Sequence, residues 1–302
     1  MCRKIAFFAC VIVIVLSCGV CQAAEKEEPD FTFIQAADSQ MTYCAGSPSN
    51  WEVTINKTNF VNPAFLIITG DLLNTPANQY QADSYLSIAS GLKPGILRYN
   101  VAGNHDLHDA PSPASYAWYQ ERFGKLWYSF TYGSNLFIVL ESNILKNSSN
   151  YPGKDMEQMD WLTATLANAA GYNNIMVFMH HPLCVGSVDE PDAWNNMPTA
   201  CRLQLLTLFH KYGVRAVFAG HYHQNAYVRD GELEIITTSS CTCPLAADPS
   251  GFRIVKVYPN HIEHSYCTLD SIVAFLFRDV FINHRELKYC VSSPLCLKGV
   301  GS

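Results

Sequence analysis

Five short polar clusters combine carboxylate, amide and imidazole side chains, and each follows an apolar run. In chain order they are Asp38-Ser39-Gln40, Gly70-Asp71-Leu72-Leu73-Asn74, Gly103-Asn104-His105-Asp106, Met179-His180-His181-Pro182 and Gly220-His221-Tyr222-His223. Such side chains ligate Fe, Mn or Zn, and the clusters contain no thiolate. Two ions about 3.5–4 Å apart clamp the attacking and leaving oxygens of a phosphoryl displacement and lower the pKa of bound water towards about 7. The clusters therefore predict a hydrolytic site with two metals.

The runs that precede these clusters have the length and composition of buried strands. They are rich in Ile, Val and Phe and cover residues 31–37, 63–69, 96–102, 175–179 and 214–219. Helical patterns lie between them, at residues 79–91, 113–123, 156–170 and 200–212, with Thr199 as the expected N-cap of the last. This alternation predicts a layered α/β fold. Because ligands bind beyond the carboxyl ends of the strands in open α/β sheets, we expect the clusters to meet along one edge.

Two other regions have the turn residues of antiparallel strands. Residues 127–132 and 136–142 predict a hairpin, and residues 233–239, 251–258 and 261–267 predict further antiparallel strands. A mixed sheet, or two sheets packed together, accommodates both kinds of strand. We expect a single domain over residues 25–270, followed by an atypical C-terminal tail at 271–302.

Composition and charge exclude nucleic acid as an expected partner. The chain has 302 residues, of which 49% are hydrophobic and 15% charged, which is typical of a globular protein. Its net charge is −6. The sequence has no run or stripe of Lys and Arg, on which affinity for a phosphate backbone depends.

The N-terminus predicts export. Arg3 and Lys4 precede an almost wholly apolar stretch that ends in small residues suited to cleavage. We interpret residues 1–24 as a secretory signal peptide; the alternative is an uncleaved signal anchor, because the stretch is nearly long enough to span a bilayer. The protein is therefore expected in the secretory pathway or outside the cell, and at a membrane only if this segment is retained. Asn56 and Asn147 then become candidate glycosylation sites.

The cysteines are consistent with export. Four of the twelve lie in the predicted leader, and the other eight form an even set, which allows disulfide bonds. We expect Cys184 to pair with Cys201, closing the loop between the strand before His180 and the next helix. The alternative is a set of buried or free thiols, since pairing cannot be deduced from sequence.

The clusters and their order resemble a known family. GD-x-x-N at 70–74, GNHD at 103–106, HHP at 180–182 and GHYH at 220–223 are similar to the motifs of the calcineurin-like metallophosphoesterases. The resemblance covers about residues 31–270. Within it, residues 37–40, 220–226 and 248–253 resemble the CPPED-type branch, calcineurin-like phosphoesterase domain-containing proteins described as serine/threonine phosphatases. The family implies a four-layer α/β/β/α sandwich of two mixed sheets flanked by helices, with a dinuclear metal site at one sheet edge.

The resemblance also implies a set of metal ligands. Asp71 would bridge the two ions. Asp38 and His223 would complete the first site, and Asn104, His180 and His221 would complete the second. Neighbouring side chains of a strand point to opposite faces, so only one of His180 and His181 is expected to coordinate, and the match favours His180.

Gln40 departs from the family pattern. Many members have His two residues after the first Asp, as a further ligand of the first metal. In this chain Gln40 is either a ligand or a hydrogen-bond donor beside the ligands. As a ligand, its amide oxygen is neutral and weak, so we expect the first ion to bind loosely or to be Mn or Mg rather than Zn.

Two residues of the third cluster carry expected catalytic roles by the same resemblance. His105 would lie outside the coordination shell and donate a proton to the leaving group or stabilise transition-state charge. Asp106 would orient His105. General acid catalysis of this kind typically contributes about 10²–10⁴-fold.

The sequence thus predicts a phosphoester hydrolase that uses two divalent or trivalent ions (Fe, Mn or Zn) and a metal-bound hydroxide. Phosphomonoesters of a protein or small molecule are the expected substrates, with phosphoserine and phosphothreonine implied by the branch. One alternative is a phosphodiesterase acting on a nucleotide or lipid headgroup. Another is a metal-binding scaffold without activity, which Gln40 favours and His105 opposes.

Overall fold

Two mixed β-sheets pack face to face in the computed structural model, which describes residues 27–245 and 247–270. The predicted leader at 1–24 and the predicted tail at 271–302 lie outside the described residues. Within the described part of the chain, no helix is both long enough and apolar enough to cross a membrane.

The elements alternate along the chain. The strands are β1 Phe31–Ala36, β2 Phe65–Thr69, β3 Leu97–Val101, β4 Tyr128–Tyr132, β5 Asn135–Val139, β6 Asn174–Phe178, β7 Val214–Ala219, β8 Ala226–Asp230, β9 Leu233–Thr237, β10 Gly251–Val257 and β11 Ile262–Thr268. The helices are α1 Ser47–Val61, α2 Gln79–Ala89, α3 Asn104–Leu107, α4 Pro113–Phe123, α5 Ser142–Lys146, α6 Lys154–Ala167 and α7 Thr199–Tyr212.

The sheet order places the parallel strands next to one another in each sheet. The first sheet has the order β11-β10-β1-β2-β3, in which β1, β2 and β3 are parallel and β10 is antiparallel to both neighbours. The second has the order β4-β5-β6-β7-β9-β8, in which β5, β6, β7 and β9 are parallel. The five polar clusters follow the carboxyl ends of five of these parallel strands, namely β1, β2, β3, β6 and β7.

Alternate residues of each central strand face opposite layers. In β1, Phe33 lies in the core between the sheets, whereas Ile34 packs with the side chains of α1, α2 and α4. In β6, Phe178 lies in the same intersheet core, whereas Val177 packs with α6 and α7. Each fully buried side chain of this size contributes about 1.5–3 kcal/mol. The predicted four-layer α/β/β/α sandwich is confirmed.

Four elements were not predicted from sequence, namely helix α1, the short helices α3 and α5, and strand β8. Helix α1 has few apolar residues, and its buried hydroxyls are satisfied within the helix: Thr54 Oγ1 donates to Asn50 O at 2.9 Å and Thr58 Oγ1 to Thr54 O at 2.8 Å. Such residues weaken the apolar period on which a helix prediction depends. Strand β8 is the edge of its sheet and alternates between partly buried and exposed residues.

One local prediction was wrong. Thr199 is the first residue of α7 rather than its N-cap; its backbone N–H donates to Asp192 Oδ1 at 2.8 Å. The predicted strand at residues 233–239 forms β9, which pairs antiparallel with β8 and, in addition, parallel with β7. The antiparallel pairs β4–β5 and β10–β11 are confirmed.

The predicted disulfide between Cys184 and Cys201 is also wrong. Both thiols are free, although both pack in the core between the second sheet and its helices. The disulfide instead joins Cys44 to Cys243. These two residues follow β1 and β9, which belong to different sheets but end side by side, and sequence spacing alone does not reveal that proximity.

Candidate dinuclear metal centre

The two sheets are joined by hydrogen bonds at the edge where the polar clusters lie. The side-chain amide of Gln35 donates to Thr69 Oγ1 at 2.8 Å in its own sheet and to Ala219 O at 3.2 Å in the other. Between loops, the backbone N–H of Asp38 donates to Gly70 O at 3.1 Å. The edge is therefore one interlocked surface rather than a set of independent loops.

Glycines let two of the loops approach the site closely. Gly70 has φ +92°, and a Cβ there would lie 2.3 Å from Nδ1 of His180. A Cβ on Gly103 would lie 2.1 Å from Oδ1 of Asp71. Any side chain at either position would displace a predicted metal ligand.

Five predicted ligands adopt a left-handed backbone. The φ values are +54° for Asp38, +29° for Gln40, +51° for Asp71, +64° for His221 and +55° for His223. Left-handed conformations of residues other than glycine typically cost about 1–3 kcal/mol and cluster at functional sites. The surrounding hydrogen bonds hold these side chains in positions that the isolated loops would not favour.

One group of side chains centres on Nε2 of His180. This atom lies 3.3 Å from Asp71 Oδ1, 3.0 Å from Asn104 Oδ1 and 3.2 Å from Nδ1 of His221. One potential ligand atom from each of Asp71, His180 and His221 lies within 4.8 Å of the others. The four side chains form a compact set of oxygen and nitrogen donors.

A second group shares Asp71 with the first. One potential ligand atom from each of Asp38, Asp71 and His223 lies within 4.8 Å of the others, and His223 Nε2 is 3.5 Å from Asp38 Oδ1. Gln40 adjoins this group, because its amide Nε2 lies 3.3 Å from Asp71 Oδ2. Asp71 therefore stands between two ligand groups, as a bridging carboxylate requires.

Each histidine of the two groups has its other ring nitrogen beside a backbone carbonyl. His180 Nδ1 lies 2.9 Å from Thr69 O, and His223 Nδ1 lies 2.7 Å from Cys243 O. His221 Nε2 lies 3.0 Å from Trp194 O. A carbonyl accepts the proton of that nitrogen, which leaves the opposite nitrogen as a lone-pair donor aimed into the site.

The donor set fits two metal ions. With these tautomers, the nitrogens that point into the groups are acceptors, as are the oxygens of Asp38, Asp71 and Asn104, and such atoms face one another only around a shared positive charge. Gln40 Oε1 is a buried oxygen without a hydrogen-bond partner among the described residues. An orphaned buried oxygen is costly unless it binds a cation, so Gln40 fits a ligand of the first site.

The pKa values of Asp71 and the histidines around it show that the centre favours a positive charge beside the Asp71 carboxylate. Burial opposes ionisation of Asp71, but His180, with smaller effects from His105 and His221, holds its pKa well below the usual range. Burial likewise opposes protonation of His180, yet Asp71 raises its pKa to about 9. Burial and then His180 lower the pKa of His221 to about 3. A metal ion would replace the proton between Asp71 and His180, so its binding should release protons.

His181 belongs to neither ligand group, although its ring lies 4.2 Å from that of His221 and it lines the same cavity. Its Nδ1 lies 3.0 Å from Ser142 Oγ, at the start of α5. Burial, with His221 as the next contribution, holds its pKa well below the ordinary value. The two adjacent rings thus have different partners, and His180 is the one that contacts the carboxylate of Asp71.

His105 lies beside Asp71 at the start of α3. Its backbone N–H donates to Asp71 Oδ1 at 2.9 Å, and its Nδ1 lies 2.7 Å from Asn74 O. Nδ1 of His105 keeps its proton and donates it in a hydrogen bond to the carbonyl oxygen of Asn74. Nε2 is therefore the atom that can exchange a proton with a group in the cavity that His105 lines.

The predicted orientation of His105 by Asp106 is wrong. The Asp106 carboxylate accepts hydrogen bonds from the backbone of Leu72 at 3.2 Å, Leu73 at 2.9 Å and Gly103 at 2.8 Å. Burial, followed by the charge of Asp71, raises its pKa to about 7. Asp106 therefore ties together the loops after β2 and β3, while Asn74 orients His105.

The centre opens into a cavity of about 620 Å³. Three of its lining residues expose large apolar side chains, namely Tyr43, Trp194 and Leu245. These three residues lie in loops outside the five clusters, so they were not predicted from sequence. An exposed aromatic residue in a loop has no periodic or motif signal.

The family is decided by comparison with known proteins. Residues 31–225 match the family model described as calcineurin-like phosphoesterase. The chain belongs to the calcineurin-like phosphoesterase family. The resemblance of its five clusters to that family is therefore confirmed.

Relatives and structural neighbours of this calcineurin-like phosphoesterase agree with the assignment. It is 31% identical to the serine/threonine-protein phosphatase CPPED1 of Bos taurus over 277 residues, which cover 83% of this chain and 88% of the relative. A dimetal phosphatase from Danio rerio has a TM-score of 0.63 and 14% identity, with coverage of 80% of this chain and 97% of that one. GAP50, described as the anchor in the inner membrane complex of Plasmodium, has a TM-score of 0.60 and 15% identity, with coverage of 79% and 84%. At these identities the two structures show the fold alone.

Family and relatives together establish the class of reaction. A calcineurin-like phosphoesterase with CPPED1 phosphatases as relatives is a metal-dependent hydrolase of phosphoric esters. The two ligand groups around Asp71 supply a site of matching chemistry.

Proposed function

We propose that the protein is a phosphomonoesterase with two metal ions, and that its substrates include phosphoserine or phosphothreonine side chains. The observation that carries the proposal is the pair of ligand groups that share Asp71, with His105 beside them. The relative named serine/threonine-protein phosphatase, which aligns with 83% of this chain, supports a monoester substrate.

The proposed ligands divide between the two groups. The first ion would be held by Asp38, Gln40, Asp71 and His223, and the second by Asp71, Asn104, His180 and His221. When bound, the two ions supply Lewis-acid polarisation of the phosphoryl oxygens and a water-derived nucleophile at neutral pH. The backbone carbonyls of Thr69, Trp194 and Cys243 keep the imidazoles in the coordinating tautomer.

His105 has the proposed catalytic role. Its ring is fixed by Asn74 O on one side, so Nε2 can give a proton to the departing alkoxide or stabilise negative charge on the phosphoryl group. Retention of such a group beside the metals supports catalysis over a purely structural role for the fold.

The ion at the first site is proposed to be Mn or Mg rather than Zn, with Fe, Mn or Zn at the second. Gln40 supplies a neutral oxygen where an imidazole would favour a softer ion. Elemental analysis of the purified protein, followed by removal of metal and reconstitution with single ions, tests this assignment.

The activity test compares two chromogenic esters on the metal-loaded protein. We expect p-nitrophenyl phosphate to be hydrolysed faster than bis(p-nitrophenyl) phosphate, and a phosphoserine peptide to be dephosphorylated. Asp71→Asn should abolish both reactions, because the bridging carboxylate is lost. A strong preference for the bis ester would refute the monoester assignment in favour of a phosphodiesterase, and two bound ions without turnover would indicate a scaffold.

Export through the secretory pathway is part of the proposal. It is supported by the apolar leader at residues 1–24 and by the Cys44–Cys243 disulfide, since disulfides persist mainly in oxidising compartments. Asn56 and Asn147 are exposed, as glycosylation would require. N-terminal sequencing and deglycosylation of protein collected from the medium of a eukaryotic host test cleavage and glycosylation; retention in the membrane fraction with residue 1 intact would favour the anchor.

A further inference from the structure

The mouth of the metal centre is lined by exposed apolar side chains. Trp194 is 59% exposed, Leu245 53% and Tyr43 43%, yet all three border the same cavity as Asp71 and His105. Exposed apolar groups gathered at one place on a protein surface typically mark a binding site.

Trp194 is held firmly although its side chain is exposed. Its backbone oxygen accepts hydrogen bonds from His221 Nε2 at 3.0 Å and from Lys146 Nζ at 2.8 Å. Two residues further on, the Asn196 side-chain amide donates to Glu190 Oε1 at 2.7 Å. The loop thus presents the indole from a fixed backbone, which lowers the entropy lost when a ligand packs on it.

The aromatic rings flank the two ligand groups. The indole centroid of Trp194 lies 5.4 Å from the ring of His221, and the ring of Tyr43 lies 5.9 Å from that of His223. His221 and His223 belong to the two different groups that share Asp71. A phosphoryl group at Asp71 would therefore have an aromatic surface beside it at each group.

The cavity offers little charge for a second phosphate. Lys146 is the only Lys or Arg among the described residues that line it. Its ammonium group already donates to Trp194 O and, at 3.2 Å, to Asn196 O. The part of the substrate beyond the phosphoryl group thus meets the exposed apolar side chains, Asn147 and the carboxylate of Asp109 rather than a cluster of cations.

We propose that Trp194 is a substrate-binding residue that selects phosphomonoesters carrying an aromatic group close to the phosphate, including phosphoserine or phosphothreonine next to an aromatic residue. The aromatic group packs on the exposed indole while the phosphoryl group lies at the metal centre, and Tyr43 borders the opposite side. This inference rests on the proposed phosphomonoesterase function. Aromatic pairs contribute enough beyond their area burial to change affinity about 3- to 10-fold.

The test compares 2-phenylethyl phosphate with n-butyl phosphate on the metal-loaded protein. Both release primary alcohols, so leaving-group reactivity is nearly the same and the ratio of their kcat/KM values reports recognition. We expect Trp194→Ala to lower that ratio about 3- to 10-fold, mainly through KM, and Trp194→Phe to restore most of it. All these variants keep the backbone carbonyl that orients His221. Tyr80→Ala removes another exposed aromatic side chain, on α2, and serves as the control; its ratio should equal that of the wild type.

Binding measurements separate this inference from the proposed reaction. Calorimetry with 2-phenylethylphosphonate and n-butylphosphonate gives the same comparison without turnover. Tighter binding of the aromatic phosphonate, lost in Trp194→Ala, would support the role of Trp194 even if neither phosphate ester is hydrolysed. The absence of hydrolysis would then refute only the proposed function. Equal ratios for the wild type and Trp194→Ala, in turnover and in binding, would overturn the role of Trp194.

Discussion

The backbone oxygen of Cys243 lies 2.7 Å from Nδ1 of His223, so a disulfide-bonded residue orients a proposed metal ligand. The backbone N–H of Cys243 donates to Ser240 Oγ at 2.8 Å, and Ser240 Oγ donates to Asp38 O at 2.8 Å. The disulfide therefore stabilises a segment that contacts two ligands of the first site. The other half of the disulfide, Cys44, lies in the same loop as Asp38, between β1 and α1.

Loss of this disulfide should weaken the first metal site as well as the fold. We expect the Cys44→Ala/Cys243→Ala double variant to lose about 2–5 kcal/mol of unfolding free energy, because the bond closes a long loop in the unfolded chain. It should also retain less of the first ion after dialysis, since the carbonyl beside His223 is no longer anchored. Denaturant unfolding and elemental analysis measure the two effects. Cys201→Ser changes a free thiol and provides the control; a double variant with unaltered metal content would show that Ser240 alone holds the segment.

Removing the amide of Gln40 should empty one metal site selectively. Gln40→Leu keeps the side-chain volume but deletes the buried oxygen that has no partner in the described structure. We expect one tightly held ion per chain instead of two, because the ligand group around His180 is unaffected. Gln40→His should instead raise retention of Zn. Quantification of metal after dialysis checks both, with Gln120→Leu on the surface of α4 as the control. Two retained ions in Gln40→Leu would assign Gln40 to hydrogen bonding only.

The sequence was sufficient to predict those helices and strands whose residue pattern is local. In β2, Ile67 and Ile68 face opposite cores, so an unbroken apolar run with Gly70 after it is the expected signature of a central parallel strand. The same reasoning failed for α1, where buried Thr54 and Thr58 replace the expected apolar side chains. Local pattern cannot show that a hydroxyl is buried and satisfied within its own helix.

For the site, sequence indicated which side chains could meet but not which partner each would have. His105 precedes Asp106, yet its ring bonds to Asn74 O, because the loops after β2 and β3 pack together. The position of Trp194 depends on a loop whose path is set by tertiary contacts. Such relationships arise only when the two sheets are assembled.

His105→Ala should separate catalysis from metal binding. The imidazole is not part of either ligand group, so two ions should remain, whereas loss of a general acid should lower kcat about 10²–10⁴-fold. Elemental analysis and steady-state kinetics with an alkyl phosphate measure both. His210→Ala, on the exposed end of α7, is the matched control. Turnover equal to that of the wild type would remove His105 from the mechanism.

Asp106→Asn should act through stability rather than through the proton of His105. An amide has a single acceptor oxygen and would place N–H donors against the backbone donors of Leu72, Leu73 and Gly103. We expect a loss of about 1–3 kcal/mol in unfolding free energy, together with lower activity. Asp160→Asn, on the exposed surface of α6, is the control in denaturant unfolding. A variant of full stability but reduced kcat would instead support a direct role beside His105.

Glu190→Gln should loosen the loop that presents Trp194. The Glu190 carboxylate accepts hydrogen bonds from the backbone of Val185 at 3.0 Å, Gly186 at 2.7 Å and Ser187 at 3.1 Å, as well as from the Asn196 side chain. We expect faster amide hydrogen exchange across residues 185–196 in the variant, and a smaller preference for 2-phenylethyl phosphate over n-butyl phosphate. Glu157→Gln, an exposed position on α6, should change neither.

The pH dependence of this effect has a definite sign. Partial burial opposes ionisation of Glu190, but the Asn196 amide and then the backbone donors hold its pKa below the ordinary value of 4.5. A carboxylate with a lowered pKa in the folded state contributes stability that is fully present above its unfolded pKa and is lost as pH falls through the folded pKa. The difference in exchange between the wild type and Glu190→Gln, corrected for intrinsic rates, should therefore be constant near neutral pH and decline only below about 4.5. A difference that persists unchanged in acid would show that the charge of Glu190 does not order the loop.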